Sequence, residues 1–456
     1  MGLLAFCAGC SRRPPNILVI LVDTLRADRL GAYDGRAGLT PFIDSLAARG
    51  FVFRQAYAQA PWTNPSVASL FTSRYQSQHG IVSFASVLGE QELTLAEVLH
   101  ERGYATAGFN ANYLLPRKTG FAQGFDEYRT LPAGAAAHEP NGVAKARAAR
   151  VNSEGLSWLD KRAHPEQPFF LYLHYMEPHN PYEPETAYLD RVLAGRPRPD
   201  RAVVNTRMNM PNVGVFSDDM VQAVRDFYDA EVMSFDAQLR ELFAGLAARG
   251  LLDRTVVALV ADHGEEFREH GLMGHGQTLF DEVIHVPLLL LVPGHTHRTD
   301  VGALVSVVDL GPTLLDFAGI AAPPTFEGHS LRPLMGLPAN RAWGLAGCSA
   351  PQATPPTLIF SELIKDDLDR LAVHERAVRG ADDKLIAGVH GEQEFYDLRT
   401  DPGETNPAGL GEAQRSALDR QLSSFRARVA HGAPAATRPL DDQTRERMRA
   451  LGYGDK

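Results

Sequence analysis

Cysteine and long apolar runs are scarce in this chain of 456 residues, and its 45 basic residues are outnumbered by 55 acidic ones. The three cysteines are Cys7, Cys10 and Cys348, and their spacing excludes a zinc site built on two CxxC pairs. Beyond the N-terminus no segment approaches the ~20 consecutive apolar residues that a membrane-spanning helix needs. The formal net charge is −10, which argues against a nucleic-acid-binding protein, because such a protein needs a basic face.

The N-terminus, MGLLAFCAGCSRRPP, is typical of the end of a secretion signal. The segment Ala8-Gly9-Cys10 is similar to a bacterial lipobox, in which the cysteine is lipidated and becomes the new N-terminus. It departs from that motif in having Cys7 where leucine is preferred, and in lacking a basic residue before the apolar run. We interpret residues 1–15 as a lipoprotein-like leader, which predicts a membrane tether through a lipid on Cys10 and a location in the bacterial cell envelope. The alternative is a frayed N-terminus with no targeting role.

Four fully apolar runs alternate with helical stretches along the chain: Asn16–Asp23, Pro168–Tyr175, Thr255–Ala261 and Val286–Val292. Runs that are apolar on both faces are typical of buried strands in a parallel sheet. The pattern predicts an α/β fold with a mostly parallel central sheet flanked by helices. Short alternating strands between residues 376 and 398 predict a small antiparallel subdomain. The predicted division is 1–15 for the leader, 16–345 for the α/β domain, and 346–456 for an α+β subdomain with a helical tail.

Acidic residues and histidines follow three of these runs at the point where each strand should end. Asp23 closes the first, Asp262 and His263 follow the third, and His174 and His179 lie at the end of the second. Because ligands of open α/β sheets bind at the carboxyl ends of the strands, we expect these side chains to lie together. Carboxylates combined with imidazoles favour Zn²⁺ or Mn²⁺, whereas carboxylates alone would favour Ca²⁺ or Mg²⁺.

The segment Pro61–Arg74 is predicted to form a tight turn, with Asn64 and Pro65 inside it, that leads into a helix starting at Ser66. Thr63 lies just before this helix. The N–H groups at a helix N-terminus suit an anionic ester, and a hydroxyl held there beside a metal could attack phosphorus or sulfur. Taken alone, Thr63 is more simply explained as an ordinary N-cap residue.

Considered together, these segments resemble the sulfatase family of the alkaline phosphatase superfamily, from about residue 16 to residue 453. The motifs that support the resemblance are NILVILVDTLRADRLGAY, TPFIDSLAARG, PWTNPSVASLFTSR, GFAQGFDEY, FFLYLHYMEPHNPYEP, ADHGEEFREHGLMGHGQTLFDEVIHVPLLLLVPG, VSVVDLGPTLLDFAGI and EFYDLRTDPGETN. They are specific for the superfamily and much less specific for the substrate. The resemblance implies a catalytic role for the domain over residues 16–345.

The resemblance also implies a role for each site residue. The metal ligands would be Asp23, Asp262 and His263, with Thr63 as a nucleophile that also touches the metal. The remaining residues would line the pocket. His275 would occupy a position that is often lysine and that contacts the substrate or leaving group, and His174 and His179 would lie on the histidine-bearing loop. Asn110 and Asn112 would lie near the positions that bind the sulfate.

Several residues depart from the family pattern. Sulfatases use a cysteine or serine in a C/S-x-P-x-R motif, which is oxidised to formylglycine, but here the corresponding residues are Thr63 to Val67. Threonine cannot form that aldehyde, so no formylglycine is expected. Thr24 replaces the second of the usual paired aspartates. His263 replaces the common asparagine, which favours Zn²⁺ or Mn²⁺ and leaves Ca²⁺ as an alternative.

Threonine nucleophiles are typical of the phosphodiesterases and phosphoethanolamine transferases of this superfamily. The sequence therefore predicts a metal-dependent hydrolase that cleaves phosphoric esters, either diesters or monoesters, through Thr63. The leaving alcohol would be protonated by His275, His174 or His179. The alternatives are a sulfuric ester hydrolase, a phosphoethanolamine-type transferase and an inactive binding homologue. The predicted substrate is a small-molecule, lipid-linked or glycan-linked anionic ester. The sequence is compatible with a site for one metal ion or for two.

Overall fold

The computed structural model of the chain describes residues 13–131, 145–208, 216–337, 357–366, 373–407 and 409–430, together with 432, 435–442, 444, 445 and 448. Cys10, most of the predicted leader and the predicted boundary at residue 345 lie outside these residues. The leader and the division of the chain therefore stay predictions. Within the described part of the chain, every helix is too short or too polar to cross a membrane.

A nine-stranded sheet lies at the centre of the described residues. Its strands are β1 Asn16–Val22, β2 Phe51–Tyr57, β4 Ala105–Asn110, β5 Glu127–Thr130, β6 Phe169–Tyr175, β7 Thr255–Ala261, β10 His285–Val286, β11 Leu288–Leu291 and β12 Thr299–Ser306. Their order is β10-β2-β11-β7-β1-β6-β4-β5, with β12 paired to β2. Two short ladders lie outside this sheet, one of β3 Ser86–Val87 with β17 Ala436–Thr437, the other of β8 Glu266–Phe267 with β9 Met273–Gly274.

The middle of this sheet is parallel. Strand β1 pairs with β6 on one side and with β7 on the other, and all three strands are buried along their whole length. Strands β10 and β11 run antiparallel to their neighbours. A strand covered on both faces needs apolar side chains in both directions, which is why these strands appear in the sequence as unbroken apolar runs. The predicted mostly parallel sheet is confirmed.

Helices flank the sheet in two groups. The helices are α1 Pro41–Ala47, α2 Thr63–Thr72, α3 Gln76–His79, α4 Leu95–Glu101, α5 Ala148–Lys161, α6 Thr186–Leu193, α7 Arg201–Met208, α8 Asp218–Ala248, α9 Asp281–Ile284, α10 Leu310–Ala318 and α11 Glu412–Val429. In one group the long helix α8 contacts α1, α5, α6 and α7. In the other, α2, α4 and α10 contact one another.

One interpretation of the loops needs correction. Residues 191–215 are rich in Pro, Arg and Asn, which predicts an irregular segment, but α6 extends to Leu193 and α7 covers Arg201–Met208. The guanidinium of Arg196, just after α6, forms two hydrogen bonds of 2.7 Å with the Asp226 carboxylate on α8. Because these contacts join residues far apart in the chain, local composition gives no sign of them. Residues 209–215 lie outside the described part.

The small antiparallel subdomain is also confirmed. Its strands are β13 Ile359–Lys365, β14 Val373–Arg379, β15 Asp383–Gly388 and β16 Gln393–Asp397, paired in that order, and α11 packs against them. The sequence pattern did not predict strand β13. It lies beside the segment that precedes α2, where the Ser361 hydroxyl donates to the carbonyl of Ala58 at 2.7 Å. The subdomain sheet therefore reaches the region of Thr63.

Candidate functional site

Three adjacent strands bring the predicted acidic and histidine side chains to one edge of the sheet. In the register of the sheet, Val22 at the end of β1 lies between Ala261 of β7 and Tyr175 of β6. Asp23 and Asp262 therefore leave the sheet side by side, and both are buried. This is the edge at which ligands of parallel α/β sheets bind.

Helix α2 begins at Thr63 itself, three residues earlier than the sequence indicated. Trp62 occupies the N-cap position and makes no side-chain capping bond, so the interpretation of Thr63 as an N-cap residue is wrong. The Ser66 hydroxyl donates to the Asp262 carbonyl at 2.6 Å, which fastens the first turn of the helix to the end of β7. The Thr63 hydroxyl lies 3.5 Å from Asp23 Oδ2 and 3.4 Å from His263 Nε2.

Each of the two carboxylates has one oxygen held by the protein. Asp262 Oδ1 accepts the backbone N–H groups of Thr24 at 3.3 Å and His263 at 3.0 Å. Asp23 Oδ2 accepts from the Asn112 amide at 2.8 Å and lies 3.2 Å from His174 Nε2. The other two oxygens, Asp23 Oδ1 and Asp262 Oδ2, are buried and have no hydrogen-bond partner among the described residues. A buried carboxylate oxygen without a partner is costly unless a cation binds it.

These two oxygens converge with His263 into a set of atoms that fits a divalent metal ion. His263 Nε2 lies 3.6 Å from Asp23 Oδ1 and 3.5 Å from Asp262 Oδ2, and the three residues offer ligand atoms that are all within 4.8 Å of one another. The Nδ1–H of His263 donates to the Gly264 carbonyl at 2.9 Å, which turns the lone pair of Nε2 towards the carboxylates.

The charges of the two carboxylates agree with a cation between them. Burial, followed by the charge of Asp23, raises the pKa of Asp262 well above its ordinary value. Burial alone would also raise the pKa of Asp23, but His179, a hydrogen bond with His174 and the charge of His263 hold it well below its usual range. Without a cation, the ionised carboxylate of Asp23 therefore disfavours ionisation of Asp262.

His174, on β6, contacts Asp23 and helps to hold its carboxylate in position. Since a carboxylate can only accept, the bond between His174 Nε2 and Asp23 places the proton on Nε2. The Tyr172 hydroxyl then donates to His174 Nδ1 at 3.0 Å. Both ring nitrogens of His174 are thereby engaged within the protein. These contacts give His174 a part in positioning Asp23.

His179 and His275 extend the site away from the metal ligands. The ring of His275 lies 4.5 Å from the ring of His263 and 5.0 Å from that of His179, measured between centroids. Its Nδ1 lies 2.8 Å from an oxygen of Glu265, a buried carboxylate that the sequence does not mark as a ligand. Burial lowers the pKa of His179 to about 4, and burial with the nearby His263 lowers that of His275. Both imidazoles are therefore neutral near pH 7.

An ion pair inside the protein holds the loop that bears His179. Lys145 donates to the backbone carbonyl of His179 at 2.7 Å and to Glu231 of α8 at 3.0 Å, and both of these charged side chains are buried. The other oxygen of Glu231 accepts the backbone N–H of Glu183 at 2.6 Å. Nothing in the sequence near Lys145 indicates this contact, because its partners lie 34 and 86 residues away.

The two asparagines predicted to bind substrate make their described contacts within the protein. The amide of Asn110 donates to the Leu115 carbonyl at 3.0 Å and accepts the Asn112 backbone N–H at 2.6 Å. Asn112 donates to Asp23 and accepts the backbone N–H of Leu114 at 2.9 Å. Asn112 therefore contacts Asp23 directly, and Asn110 contacts Asn112. A substrate contact for either side chain stays a prediction.

A second group of possible ligands, Glu266, His270 and Glu282, lies outside this site. Its donor atoms are used by the protein: His270 Nδ1 lies 2.6 Å from Glu282 Oε1, and Nε2 lies 3.1 Å from the carbonyls of Gly403 and Glu404. Glu266 accepts the backbone N–H of His270 at 3.0 Å. The geometry is that of a protonated histidine which links the catalytic domain to the C-terminal subdomain.

This histidine gives a testable pH dependence of stability. Burial alone would lower the pKa of His270, but the hydrogen bond and charge of Glu282 raise it to about 9. A raised pKa contributes stability that is complete below the unfolded value of ~6.5 and is lost as the pH rises through about 9. We expect a His270→Gln variant to lose about 1 kcal/mol at pH 7 and much less at pH 10. Chemical unfolding at both pH values measures this, and an equal loss at both would contradict it.

Known proteins are similar to this chain over most of its length. The Sulfatase family model matches residues 15–320. An arylsulfatase of Clostridium perfringens is 25% identical over 89% of this chain and 92% of its own length. A structure solved with its substrate D-glucosamine-2-N,6-O-disulfate matches with a TM-score of 0.74 at 20% identity, over 92% of this chain and 99% of that one. The phosphonate monoester hydrolase of Agrobacterium radiobacter matches with a TM-score of 0.73 at 22% identity, over 91% and 96%.

The parallel sheet with its acidic strand ends, together with the family model that matches residues 15–320, defines a hydrolase of the alkaline phosphatase superfamily. Within that superfamily the chain belongs to the sulfatase family. It is a sulfatase-like ester hydrolase, so the predictions of the family and of an enzyme are confirmed. The comparisons favour the alternative of a sulfuric ester hydrolase over the phosphoric ester hydrolase that the sequence analysis placed first.

Proposed function

We propose that this enzyme hydrolyses an anionic ester, with sulfuric esters as the first candidate substrates and Thr63 as the nucleophile. The observation on which this rests is the position of the Thr63 hydroxyl at the first residue of α2, 3.4–3.5 Å from two of the predicted metal ligands. The backbone N–H groups of the first turn of a helix have no partners within the helix, so they can donate to the oxygens of the ester.

A divalent ion held by Asp23, Asp262 and His263 would neutralise charge on the ester oxygens and lower the pKa of a bound hydroxyl. The remaining steps belong to the residues of the chain. The Thr63 hydroxyl loses its proton to water, and its oxygen attacks sulfur or phosphorus, forming an ester on Thr63 and breaking the bond to the alcohol oxygen. Water then attacks the same atom, which releases the anion and regenerates the Thr63 hydroxyl.

The alcohol that leaves needs a proton, and His275 is the group placed to supply it. Its Nδ1 is engaged by Glu265, so proton transfer from this ring takes place at Nε2. Burial raises the pKa of Glu265 to about 7, so a protonated Glu265 can donate to Nδ1 and leave the ring proton on Nε2. When Nε2 gives this proton to the alcohol oxygen, the proton of Glu265 passes to Nδ1 and the ring stays neutral. His179, with its ring centroid 5.0 Å away, is the second candidate. His174 is less suited to this task, since Asp23 and Tyr172 occupy its two nitrogens.

Sulfuric esters are placed first because the family model and the similar arylsulfatase support them. The neighbour solved with a disulfated glucosamine adds support for a saccharide bearing anionic groups as the alcohol. Phosphoric or phosphonic esters are the second candidate, and Thr63 is the observation that favours them. A threonine cannot become formylglycine, and a sulfate or phosphate ester formed on threonine must be hydrolysed by a second nucleophile, such as water. A similar fold is found in a phosphonate monoester hydrolase.

The deciding experiment compares initial rates on a sulfate monoester, a phosphate monoester and a phosphate diester of 4-nitrophenol, using enzyme reconstituted with Zn²⁺, Mn²⁺ or Ca²⁺. We expect one ester class to exceed the others by at least about 10²-fold in kcat/KM, as expected for a site that stabilises one transition state. A preference for the sulfate supports the first candidate, and a preference for a phosphoryl ester supports the second. Absence of turnover on all three with every ion would contradict the proposed function.

A further inference from the structure

The residue that follows Thr63 carries an amide that the protein leaves unbonded. Asn64 is the second residue of α2 and is fully buried. Within the described part of the chain, neither the oxygen nor the nitrogen of its side chain has a hydrogen-bond partner. Burying an amide without these bonds costs free energy of folding. A side chain of this kind indicates a ligand that supplies the bonds when it binds.

Other buried asparagines of the enzyme show how the protein usually satisfies such a side chain. In each of them the nitrogen donates to one group of the protein and the oxygen accepts from another. They are Asn16, Asn110, Asn112 and Asn152. Asn64 differs from these residues although it is at least as deeply buried. Its unbonded amide is therefore a property of this position in the fold.

Helix geometry directs the Asn64 side chain towards the end of α2 that bears the proposed nucleophile. In an α-helix every Cα–Cβ bond tilts towards the N-terminus, so the side chains of the first turn lean past the end of the helix. At this end the Thr63 hydroxyl lies 3.5 Å from Asp23 Oδ2. The Ser66 hydroxyl holds the first turn in place by donating to the Asp262 carbonyl at 2.6 Å. The amide therefore lies beside the space in which the ester would meet Thr63.

The first turn of α2 offers a ligand fewer backbone donors than an ordinary helix does. Pro65, at the third position, has no N–H group. The N–H of Ser66 donates to the Trp62 carbonyl at 3.3 Å. The backbone donors that remain for a ligand are those of Thr63 and Asn64. The side chain of Asn64 adds N–H donors at the same end of the helix, where Pro65 removes one.

We propose that Asn64 Nδ2 donates a hydrogen bond to a non-bridging oxygen of the sulfate or phosphate group while the Thr63 oxygen attacks. This inference rests on the proposed function, because it places the ester at Thr63. The oxygens of the ester only accept hydrogen bonds, so Asn64 Oδ1 turns away from them and accepts from water. A donor fixed in a buried site stabilises the charge that develops on such an oxygen in the transition state. Asn64 is thus a catalytic residue that binds the group being transferred.

The test replaces Asn64 by leucine, which has a similar volume and no hydrogen-bonding group. On the ester that the wild-type enzyme cleaves, Asn64→Leu should lower kcat about 10²-fold, the typical loss when one transition-state donor is removed. The melting temperature of the same variant should stay equal or rise, because the folded protein no longer buries an unbonded amide. Steady-state kinetics and thermal unfolding of the metal-reconstituted enzyme measure the two effects.

Asn16→Leu is the matched control. Asn16 begins β1, at the end of the strand opposite to Asp23. Its side-chain nitrogen donates to Thr255 Oγ1 at 3.3 Å, and its oxygen accepts the Phe169 N–H at 3.3 Å. The change therefore removes the same groups from a bonded amide far from the site. It should lower the melting temperature by a few degrees and leave kcat within about threefold.

Calorimetric binding of inorganic sulfate and inorganic phosphate separates this inference from the proposed function, since it needs no turnover. Asn64→Leu should weaken the binding of at least one of these anions about tenfold. This result, together with a wild-type enzyme that cleaves no ester, would support the contact between Asn64 and the anion and contradict the proposed function.

Three results would overturn the inference. The first is equal binding of both anions by the wild-type enzyme and Asn64→Leu, and the second is a kcat of Asn64→Leu that stays within about twofold of the wild-type value. The third is a fall in the melting temperature of Asn64→Leu like that of Asn16→Leu, because it would show that the amide is bonded within the protein.

Discussion

Replacement of Thr63 by alanine is expected to lower kcat by at least about 10³-fold on whichever ester the enzyme cleaves. The hydroxyl is the one polar group that this change removes from the reacting centre, and it lies at the point where Asp23 and His263 converge. The fold should persist, because the N-cap of α2 is Trp62 and the lost hydroxyl caps nothing. Thr63→Ser, which keeps the oxygen, should retain most of the activity.

A matched control lies on the same helix. Thr72 is buried like Thr63, and its hydroxyl donates to the Ala68 carbonyl at 2.7 Å within α2. Thr72→Ala removes the same atoms from the same element and should leave kcat within about threefold, since it touches none of the reacting groups. Mass spectrometry of rapidly quenched wild-type enzyme should find the added sulfate or phosphate on Thr63. Unchanged turnover in Thr63→Ala would end the assignment of the nucleophile.

Much of the fold and part of the site could be predicted because a few physical rules act locally. Strands β1, β6 and β7 are covered on both faces, so their sequences are apolar throughout and their ends are easy to find. The residues that follow such strands must meet at one edge of the sheet. This rule alone predicts that Asp23 and Asp262 lie together, and the structure places them side by side.

The rest depended on contacts between residues far apart in the chain. The hydroxyl of Ser361 reaches Ala58 across 303 positions, and this contact brings β13 to the region of Thr63. Glu265 could have been suspected from its place just after β7, but its bond to His275 depends on how the intervening loop folds back. The start of α2 was predicted three residues too late for a different reason, which is local. Asn64 and Pro65 favour a turn, yet Pro is equally compatible with the first turn of a helix, where the structure places it.

Removal of the proposed metal ion is expected to abolish turnover and to lower the melting temperature of the enzyme. The metal-free site leaves Asp23 Oδ1 and Asp262 Oδ2 buried without partners, and the two carboxylates repel each other. An ion at about 1,000 times its dissociation constant stabilises the folded state by about 4 kcal/mol, and dialysis against a chelator removes this contribution. Thermal unfolding with and without added Zn²⁺, Mn²⁺ or Ca²⁺ measures the loss. An unchanged melting temperature with every ion would contradict a metal centre.

The residues that hold the ion can be identified by metal content. Asp23→Asn should lower the bound metal well below about one ion per chain, the content of a single site of this kind. Glu282→Gln, in the second group of acidic and histidine residues, is the control and should leave the content unchanged, because His270 already uses that carboxylate. His263→Asn should shift the preference from Zn²⁺ or Mn²⁺ towards Ca²⁺, since it exchanges an imidazole nitrogen for an amide oxygen. If Glu282→Gln lost its metal and Asp23→Asn kept it, the metal would have to bind at the group of Glu266, His270 and Glu282, and Thr63 would not be one of its neighbours.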